Sequence, residues 1–267
     1  MIKLALIGKN VSLSTSPNIH GFIARELNRE ITYDKLSIPE EQFANRIENI
    51  LKTYDGLNVT IPYKLAIIPY LNCVNGDAES FGAVNTVVTS NLSGYNTDGL
   101  GFMQMLEDNE VEVKGKTALV LGAGGAGRSV VKKLLDAGAE VEIYNRTFEK
   151  AKKVAEEFKG CIAVDKVTIK PRYLIINATG IGMHDTVGIA PVSAEVINNC
   201  ETAVDLIYAP KKSEFLKIAE GAGKKIINGA AMLFYQAYYA DCLFFGITPN
   251  SADAAKLFKK YEEEERQ

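Results

Sequence analysis

The sequence predicts a two-domain α/β protein, and three observations predict it. Its 267 residues exceed the usual size of one domain and suffice for two of roughly 100 to 150 residues, each with its own core. Short apolar strand-like runs alternate with helix-like runs, the pattern of mainly parallel sheets covered by helices. Near the middle, an apolar run passes directly into a glycine-rich turn and then into a helical pattern.

The first block opens with a strand over Leu4 to Ile7. MIKLALIG carries one charge and only a short apolar run before Lys9, which reads as a strand and not as a signal peptide. A helix starts at Pro17, with Ser16 expected to cap it and Ile19, Phe22, Ile23 and Leu27 on one face. A strand at Thr32 to Leu36, a helix from Pro39 to about Leu51 and a strand at Leu57 to Val59 follow. A further strand is expected from Gly82 to Thr89, interrupted by Asn85 and Thr86.

The second block begins near Gly101. Its strands are expected at 117–121, 141–144, 162–164, 173–177, 203–207 and 225–227, with helices at 126–137, 148–158 and 213–220. Ala230 to Phe245 is apolar on most sides, as in a helix buried against more than one partner. After Ser251 a short amphipathic helix is expected to run out into a solvated tail, YEEEERQ. The elements therefore divide the chain into a first α/β block over 1–100, a second over 101–229 and C-terminal helices over 230–267.

Bulk composition excludes several classes of function. Thirty Lys plus Arg against 33 Asp plus Glu give a formal charge of -3, which asks for neither nucleic acid nor an anionic membrane as partner. No run reaches the roughly 18 apolar residues of a membrane span. Cys73, Cys161, Cys200 and Cys242 are widely spaced, with only His20 and His184 to help them. They read as buried thiols of a reducing, cytoplasmic compartment, and no metal site is expected.

Thr117-Ala-Leu-Val-Leu121 followed at once by Gly122-Ala-Gly124-Gly-Ala-Gly127 has the order of a dinucleotide-binding unit. Gly122 allows the tight turn, Gly124 lets a pyrophosphate approach the backbone, and Gly127 lets helix and strand pack closely. Val130, Val131, Leu134 and Leu135 then face the sheet. Glu142 lies at about the distance of a ribose-binding acid, yet it falls inside the second strand, whereas a ribose sits beyond the strand's carboxyl end. At that end stand Asn145, Arg146 and Thr147, with Lys150 and Arg128 as further charges. A guanidinium there suits a 2′-phosphate, and so NADP(H).

Polar groups collect at the ends of apolar segments of the first block around Lys64: Ser14 and Ser16 before a helix, Asn85 and Thr86, and Asn96-Thr97-Asp98-Gly99. Lys64 is placed near a helix N-terminus, where the helix dipole disfavours a cation and favours proton donation. Taken singly, Lys64 also reads as a surface lysine, Asp98 as a helix cap, and Ser14 and Ser16 as turn formers. Together they suit a small polyhydroxylated substrate.

Several motifs in order resemble the shikimate dehydrogenase family: Ser14-Thr-Ser16-Pro17, Asn58-Val-Thr60-Ile-Pro62-Tyr-Lys64, Gly82-Ala-Val-Asn85-Thr86, Asn96-Thr-Asp98-Gly99, the glycine turn, Asn145-Arg146-Thr147, Asn177-Ala-Thr179, Asp205-Leu-Ile-Tyr208-Ala-Pro210 and Met232-Leu-Phe-Tyr-Gln236. The resemblance implies that 1–100 is an N-terminal α/β substrate-binding and catalytic domain and 101–229 an NADP-binding Rossmann domain, with the C-terminal helices of 230–267 returning to the first. It implies reversible NADPH-dependent reduction of 3-dehydroshikimate to shikimate in aromatic amino-acid biosynthesis, with a homodimer as one possible assembly. Carried over by position, Lys64 and Asp98 become the catalytic pair, and Ser14, Ser16, Thr60, Asn85, Tyr208 and Gln236 surround the substrate. Gly122, Ala123, Gly124, Gly125, Ala126, Gly127, Asn145, Arg146, Thr147, Lys150, Thr179 and Gly229 hold the cofactor.

The family often has a proline, a histidine and an asparagine where this chain has Asn10, Leu13 and Gly21. These changes flank the two serines without removing a hydroxyl. Two rival readings remain open at this stage: a quinate or dual quinate/shikimate dehydrogenase using NAD(P), and a non-catalytic cofactor-binding regulator.

Overall fold

A computed structural model describes residues 1–266, which form two compact units. One comprises Met1–Gln104 with the described residues from Leu233 onward, and the other Met105–Met232. Among the described residues no helix is long and apolar enough to cross a membrane.

The first unit runs β1 (Ile2–Gly8), α1 (Ser16–Glu26), β2 (Ile31–Ser37), α2 (Glu40–Thr53), β3 (Gly56–Val59), α3 (Tyr63–Ala66), β4 (Cys73–Val74), α4 (Asp77–Phe81), β5 (Thr86–Val88), β6 (Ser93–Tyr95) and the start of α5 (Asp98–Asp108). Its sheet has the order β2-β1-β3-β5-β6-β4. β1 pairs in parallel with β2 and β3, while β5 lies antiparallel to β3 and β6. β1 is covered on both faces, which explains its near-continuous apolar run. Ala5, Ile7, Leu57 and Val59 pack with Phe43, Ile47, Ile50 and Leu51 of α2 in one buried cluster.

Two expectations for this unit need correcting. The strand from Gly82 is only Thr86–Val88, because Gly82 takes the left-handed conformation and ends α4, leaving Asn85 just ahead of the strand. Cys73 is exposed, unlike the three other free cysteines. It lies on a two-residue strand at the edge of the sheet, where little can cover it.

The second unit is a six-stranded parallel sheet of order β12-β11-β10-β7-β8-β9. Its elements are β7 (Thr117–Leu121), α6 (Gly125–Asp136), β8 (Glu140–Tyr144), α7 (Phe148–Glu157), β9 (Cys161–Val164), β10 (Arg172–Asn177), α8 (Ala194–Ile197), β11 (Cys200–Asp205), α9 (Glu214–Gly221) and β12 (Lys225–Ile227). β11 begins three residues earlier than expected and stops at Asp205, whose carboxylate accepts hydrogen bonds where the ladder ends. The chain order reverses between β7 and β10, and ligands of open α/β sheets bind outside the strand carboxyl ends at such a point.

α10 (Ala230–Phe245) and α11 (Ser251–Glu264) complete the chain, with Leu233 onward belonging to the first unit. Phe234 of α10 packs near Phe22 of α1 and near Phe258 and Tyr261 of α11, with ring centroids 5.3 to 6.1 Å apart. The expected solvated tail is helical through Glu264. Tyr261 packs on Phe22, and Arg25 donates to Glu264 at 2.8 Å. Gln267, the last residue of that tail, lies outside the described residues.

Candidate active site

Lys64 owes its position to the turn that ends β3. The Thr60 amide donates to the Ile7 carbonyl at 2.9 Å, and the Tyr63 amide to the Thr60 carbonyl at 2.9 Å. α3 therefore starts beside the carboxyl ends of β1 and β3. The Lys64 carbonyl accepts from the Val84 amide at 2.8 Å, tying the residue to the loop before β5. Its ammonium donates to Asp98 Oδ2 at 2.5 Å, with the two side chains only 16% and 10% exposed. α3 is a single turn, so the local charge partner is this carboxylate rather than an extended helix dipole.

Asp98 is held by amides. Its N–H donates to Asn96 Oδ1 at 3.0 Å, and its second carboxylate oxygen accepts from Asn85 Nδ2 at 2.8 Å. Asn85 Oδ1 in turn accepts from the Thr97 amide at 2.9 Å and the Thr86 hydroxyl at 2.8 Å, which fixes the direction of its NH2 group. Both carboxylate oxygens are thus occupied by side chains, and the plain helix-cap reading of Asp98 does not describe its contacts. Both Asn85 amide hydrogens go to Asp98 and Thr97. The ammonium retains donors for a substrate oxygen, since it has three and one is used.

The two serines are arranged differently from the sequence expectation. Thr15 occupies the cap position of α1, with no side-chain cap bond, and Ser16 is the first helical residue. The Ser16 amide instead donates to Ser14 Oγ at 3.2 Å, and the Ser14 hydroxyl donates to Ser16 Oγ at 2.9 Å. Ser14 therefore satisfies a helix-start donor from one step further out, leaving both hydroxyls side by side. Lys35 holds the preceding loop through the Ser12 carbonyl at 2.5 Å. On α10, Gln236 donates to the Leu233 carbonyl at 2.9 Å. Ser14, Ser16, Thr60, Lys64, Asn85, Asp98 and Gln236 all belong to the first unit, whereas Tyr208 is an exposed residue of the second.

The glycine turn follows β7 at the reversal of strand order. Gly122 has φ +110°, a backbone state that favours glycine, and its amide donates to the Tyr144 carbonyl at 2.8 Å. A Cβ on Gly127 would collide with the Gly122 carbonyl oxygen, while one on Gly124 would meet nothing within 4 Å. α6 is thus pressed against the strand end at Gly127, and the turn offers bare backbone at Gly124. The helix opens with Arg128 N–H to the Gly124 carbonyl at 2.9 Å. The amides of Gly125, Ala126 and Gly127 precede that first bond, as in helix N-termini that receive phosphate.

Asn145 braces this turn, accepting from the Ala123 amide at 3.2 Å and donating to the Thr147 carbonyl at 2.9 Å. Arg146 and Lys150 are exposed, and neither side chain makes a hydrogen bond or ion pair among the described residues. Arg128 differs, pairing with Glu157 and lying 5.5 Å over the Phe158 ring. Glu142 is bound by Lys170 at 2.6 Å and Arg172 at 2.9 Å. Burial pushes its carboxyl up, but the bonds from Lys170 and Arg172 outweigh this and hold it below its ordinary range. It is therefore a partner of two cations within the sheet, and the end of β8 presents a guanidinium instead of an acid. These groups fit a dinucleotide carrying a 2′-phosphate.

Beyond β10 and β11 lies a network built on Asn177, Asp205 and Ser213, to which the sequence reading gave no role, and it positions Thr179. Asp205, fully buried, accepts from Asn177 Nδ2 and the Ile207 amide, each at 3.0 Å, and from the Ser213 hydroxyl. Burial pushes its carboxyl up. Asn177 Oδ1 accepts from the Thr179 hydroxyl at 2.6 Å, so Thr179 is held close to Gly122. The Gly229 amide donates to the Ile207 carbonyl at 3.0 Å. The available signal was the pair of amide and carboxylate residues placed at strand ends, Asn177 and Asp205.

The comparisons agree with this geometry. Residues 6–87 match the model of the shikimate dehydrogenase substrate binding domain, and residues 104–184 that of shikimate / quinate 5-dehydrogenase. The chain is 38% identical to the shikimate dehydrogenase (NADP(+)) of Carboxydothermus hydrogenoformans, over 96% of its own length and 94% of that protein. A chorismate mutase/shikimate 5-dehydrogenase fusion protein from Clostridium acetobutylicum superposes with TM-score 0.91 and 34% identity, covering 100% of this chain and 99% of that one. The Thermus thermophilus shikimate 5-dehydrogenase, solved with NADP(H) and shikimate, superposes with TM-score 0.87 and 36% identity, over 97% of this chain and 99% of that one. With the Lys64–Asp98 pair, the glycine turn, both family models and 38% identity over nearly the full length all in agreement, the chain belongs to the shikimate dehydrogenase family.

Proposed function

We propose that the protein is an NADP-dependent shikimate dehydrogenase, interconverting 3-dehydroshikimate and shikimate. The observation that carries this reading is the Lys64–Asp98 pair at 2.5 Å, oriented by Asn85 beside the carboxyl ends of β1 and β3. NADPH, when bound, supplies the hydride that reduces the ring ketone. Lys64 stabilises the charge that develops on the ketone oxygen and gives it a proton; in the opposite direction it takes the proton from the hydroxyl. Asp98 holds the ammonium in place and accepts from a neighbouring substrate hydroxyl. Ser14, Ser16, Thr60, Tyr208 and Gln236 bind the carboxylate and remaining hydroxyls. Gly122 to Gly127, with Asn145, Arg146, Thr147, Lys150, Thr179 and Gly229, bind the cofactor. Four free cysteines fit a reducing compartment such as the cytoplasm.

The quinate alternative is not favoured, because the Carboxydothermus hydrogenoformans relative is named shikimate dehydrogenase (NADP(+)) and the Thermus thermophilus enzyme was solved with NADP(H) and shikimate. Steady-state oxidation of shikimate and of quinate, each with NADP+ and NAD+, tests the reading. Shikimate with NADP+ should give the largest kcat/KM, and failure in all four combinations overturns the assignment.

Cofactor choice is tested separately at Arg146. An exposed guanidinium on a phosphate contributes about 1 kcal/mol, or roughly fivefold in affinity. Arg146→Ala should accordingly raise the KM for NADPH about fivefold and leave that for NADH nearly unchanged. An equal rise with both cofactors would assign Arg146 a packing role.

A further inference from the structure

A second polar cluster lies in the first unit, on residues to which the reaction assigns no task. His20 of α1 and Asp241 of α10 are 1% and 0% exposed, and His20 Nδ1 lies 2.7 Å from Asp241 Oδ1. Titratable side chains are rarely buried so fully without a partner, and these two residues are 221 apart in sequence. The His20 ring stacks on Tyr33 of β2, with centroids 4.5 Å apart and planes at 19°. The Tyr33 hydroxyl donates to Asn58 Oδ1 at 2.8 Å, and it also interacts with the Ser16 side chain. Asn58 Nδ2 reaches Thr86 Oγ1 at 3.5 Å, and Thr86 donates to Asn85, which holds Asp98.

The helical spacing gives this cluster its reach. Ser16 and His20 are four residues apart on α1 and so share one face of the helix. Gln236 lies on α10 with Asp241. The bond between His20 and Asp241 joins the two helices that carry Ser16 and Gln236, and Tyr33 bridges the joint to Asn58 on β3, the strand that ends just before Thr60. Loss of solvent around the Tyr33 phenol holds it well above its ordinary value of 10.0, so it stays protonated and able to donate.

We infer that His20, Asp241 and Tyr33 are positioning residues for substrate binding, holding Ser16 and Gln236 in place from beneath. The inference rests on the assignment of Ser14, Ser16 and Gln236 to substrate under the proposed function. It predicts a selective defect in substrate affinity, because displacing a binding group slightly is costly while the cofactor residues are untouched. Removing only one member of the buried pair would strand the other, so the informative variant replaces both with apolar groups, His20→Phe with Asp241→Leu. Tyr33→Phe is the milder second variant, which keeps the ring stack and removes one hydroxyl.

Each variant is compared with the parent by steady-state kinetics and thermal unfolding. Both should raise the KM for shikimate at least about fivefold, with the KM for NADP+ and kcat within about twofold of the parent. A folded variant whose KM for shikimate equals that of the parent would overturn the inference. If the double variant does not fold, Tyr33→Phe alone decides. A parent that turns over no shikimate refutes the functional reading itself, and the inference falls with it; a parent that turns over shikimate beside variants of unchanged KM refutes the inference alone.

Discussion

Lys64→Ala should lower kcat by at least about 100-fold, a usual magnitude for losing a positioned acid or base. The residue is not an exposed solubilising lysine: its side chain is 16% exposed, bonded to Asp98 at 2.5 Å and backed by its own carbonyl on Val84. Removing the ammonium takes away both the charge facing the developing oxyanion and the proton it delivers, two contributions made in the transition state. Because the glycine turn and Arg146 belong to the other unit, the KM for NADP+ should stay within about twofold. The check is steady-state kinetics with both substrates varied. A kcat loss below about tenfold would assign proton transfer to another group or to solvent.

Asp98→Asn carries the second-largest expected effect and separates two roles for one residue. An asparagine caps a helix nearly as well as an aspartate, and a cap contributes about 0.5 to 2 kcal/mol. Were capping the whole role, the variant would be harmless. The carboxylate instead bonds Lys64 through one oxygen and Asn85 through the other. An amide in its place has one acceptor oxygen, points donors at one of these partners and lacks the charge that holds the ammonium. The variant should unfold within a few degrees of the parent and lose at least about tenfold in kcat/KM, equivalent to about 1.4 kcal/mol of transition-state stabilisation. Unchanged kinetics in a stable variant would return Asp98 to the role of a cap.

Much of this arrangement was legible in the sequence because it depends on local patterns. The strand, glycine turn and helix at 117–136 follow from one contiguous run, and Glu142 could be separated from a ribose-binding acid by its place inside β8. The apolar breadth of Ala230 to Phe245 signalled burial on several sides, which the aromatic contacts of Phe234 and Tyr235 bear out. What escaped depends on tertiary partners. Ser16 looks like a cap by spacing, but Ser14 reaches its amide first. The final turn of α11 reads as solvated until Tyr261 and Glu264 find Phe22 and Arg25. His20 sits among the apolar residues of α1 with no local mark of its role, because Asp241 belongs to the other end of the chain.

The central claim is a hydride transfer to a ring ketone with protonation by Lys64. It is tested most directly by incubating the parent enzyme with 3-dehydroshikimate and NADPH carrying deuterium at the transferable position of the nicotinamide, then analysing the product by mass spectrometry. The account predicts shikimate with one deuterium on the new carbinol carbon, formed at least about 100-fold more slowly by Lys64→Ala. Shikimate without deuterium, or no reduced product from the parent enzyme, would contradict it.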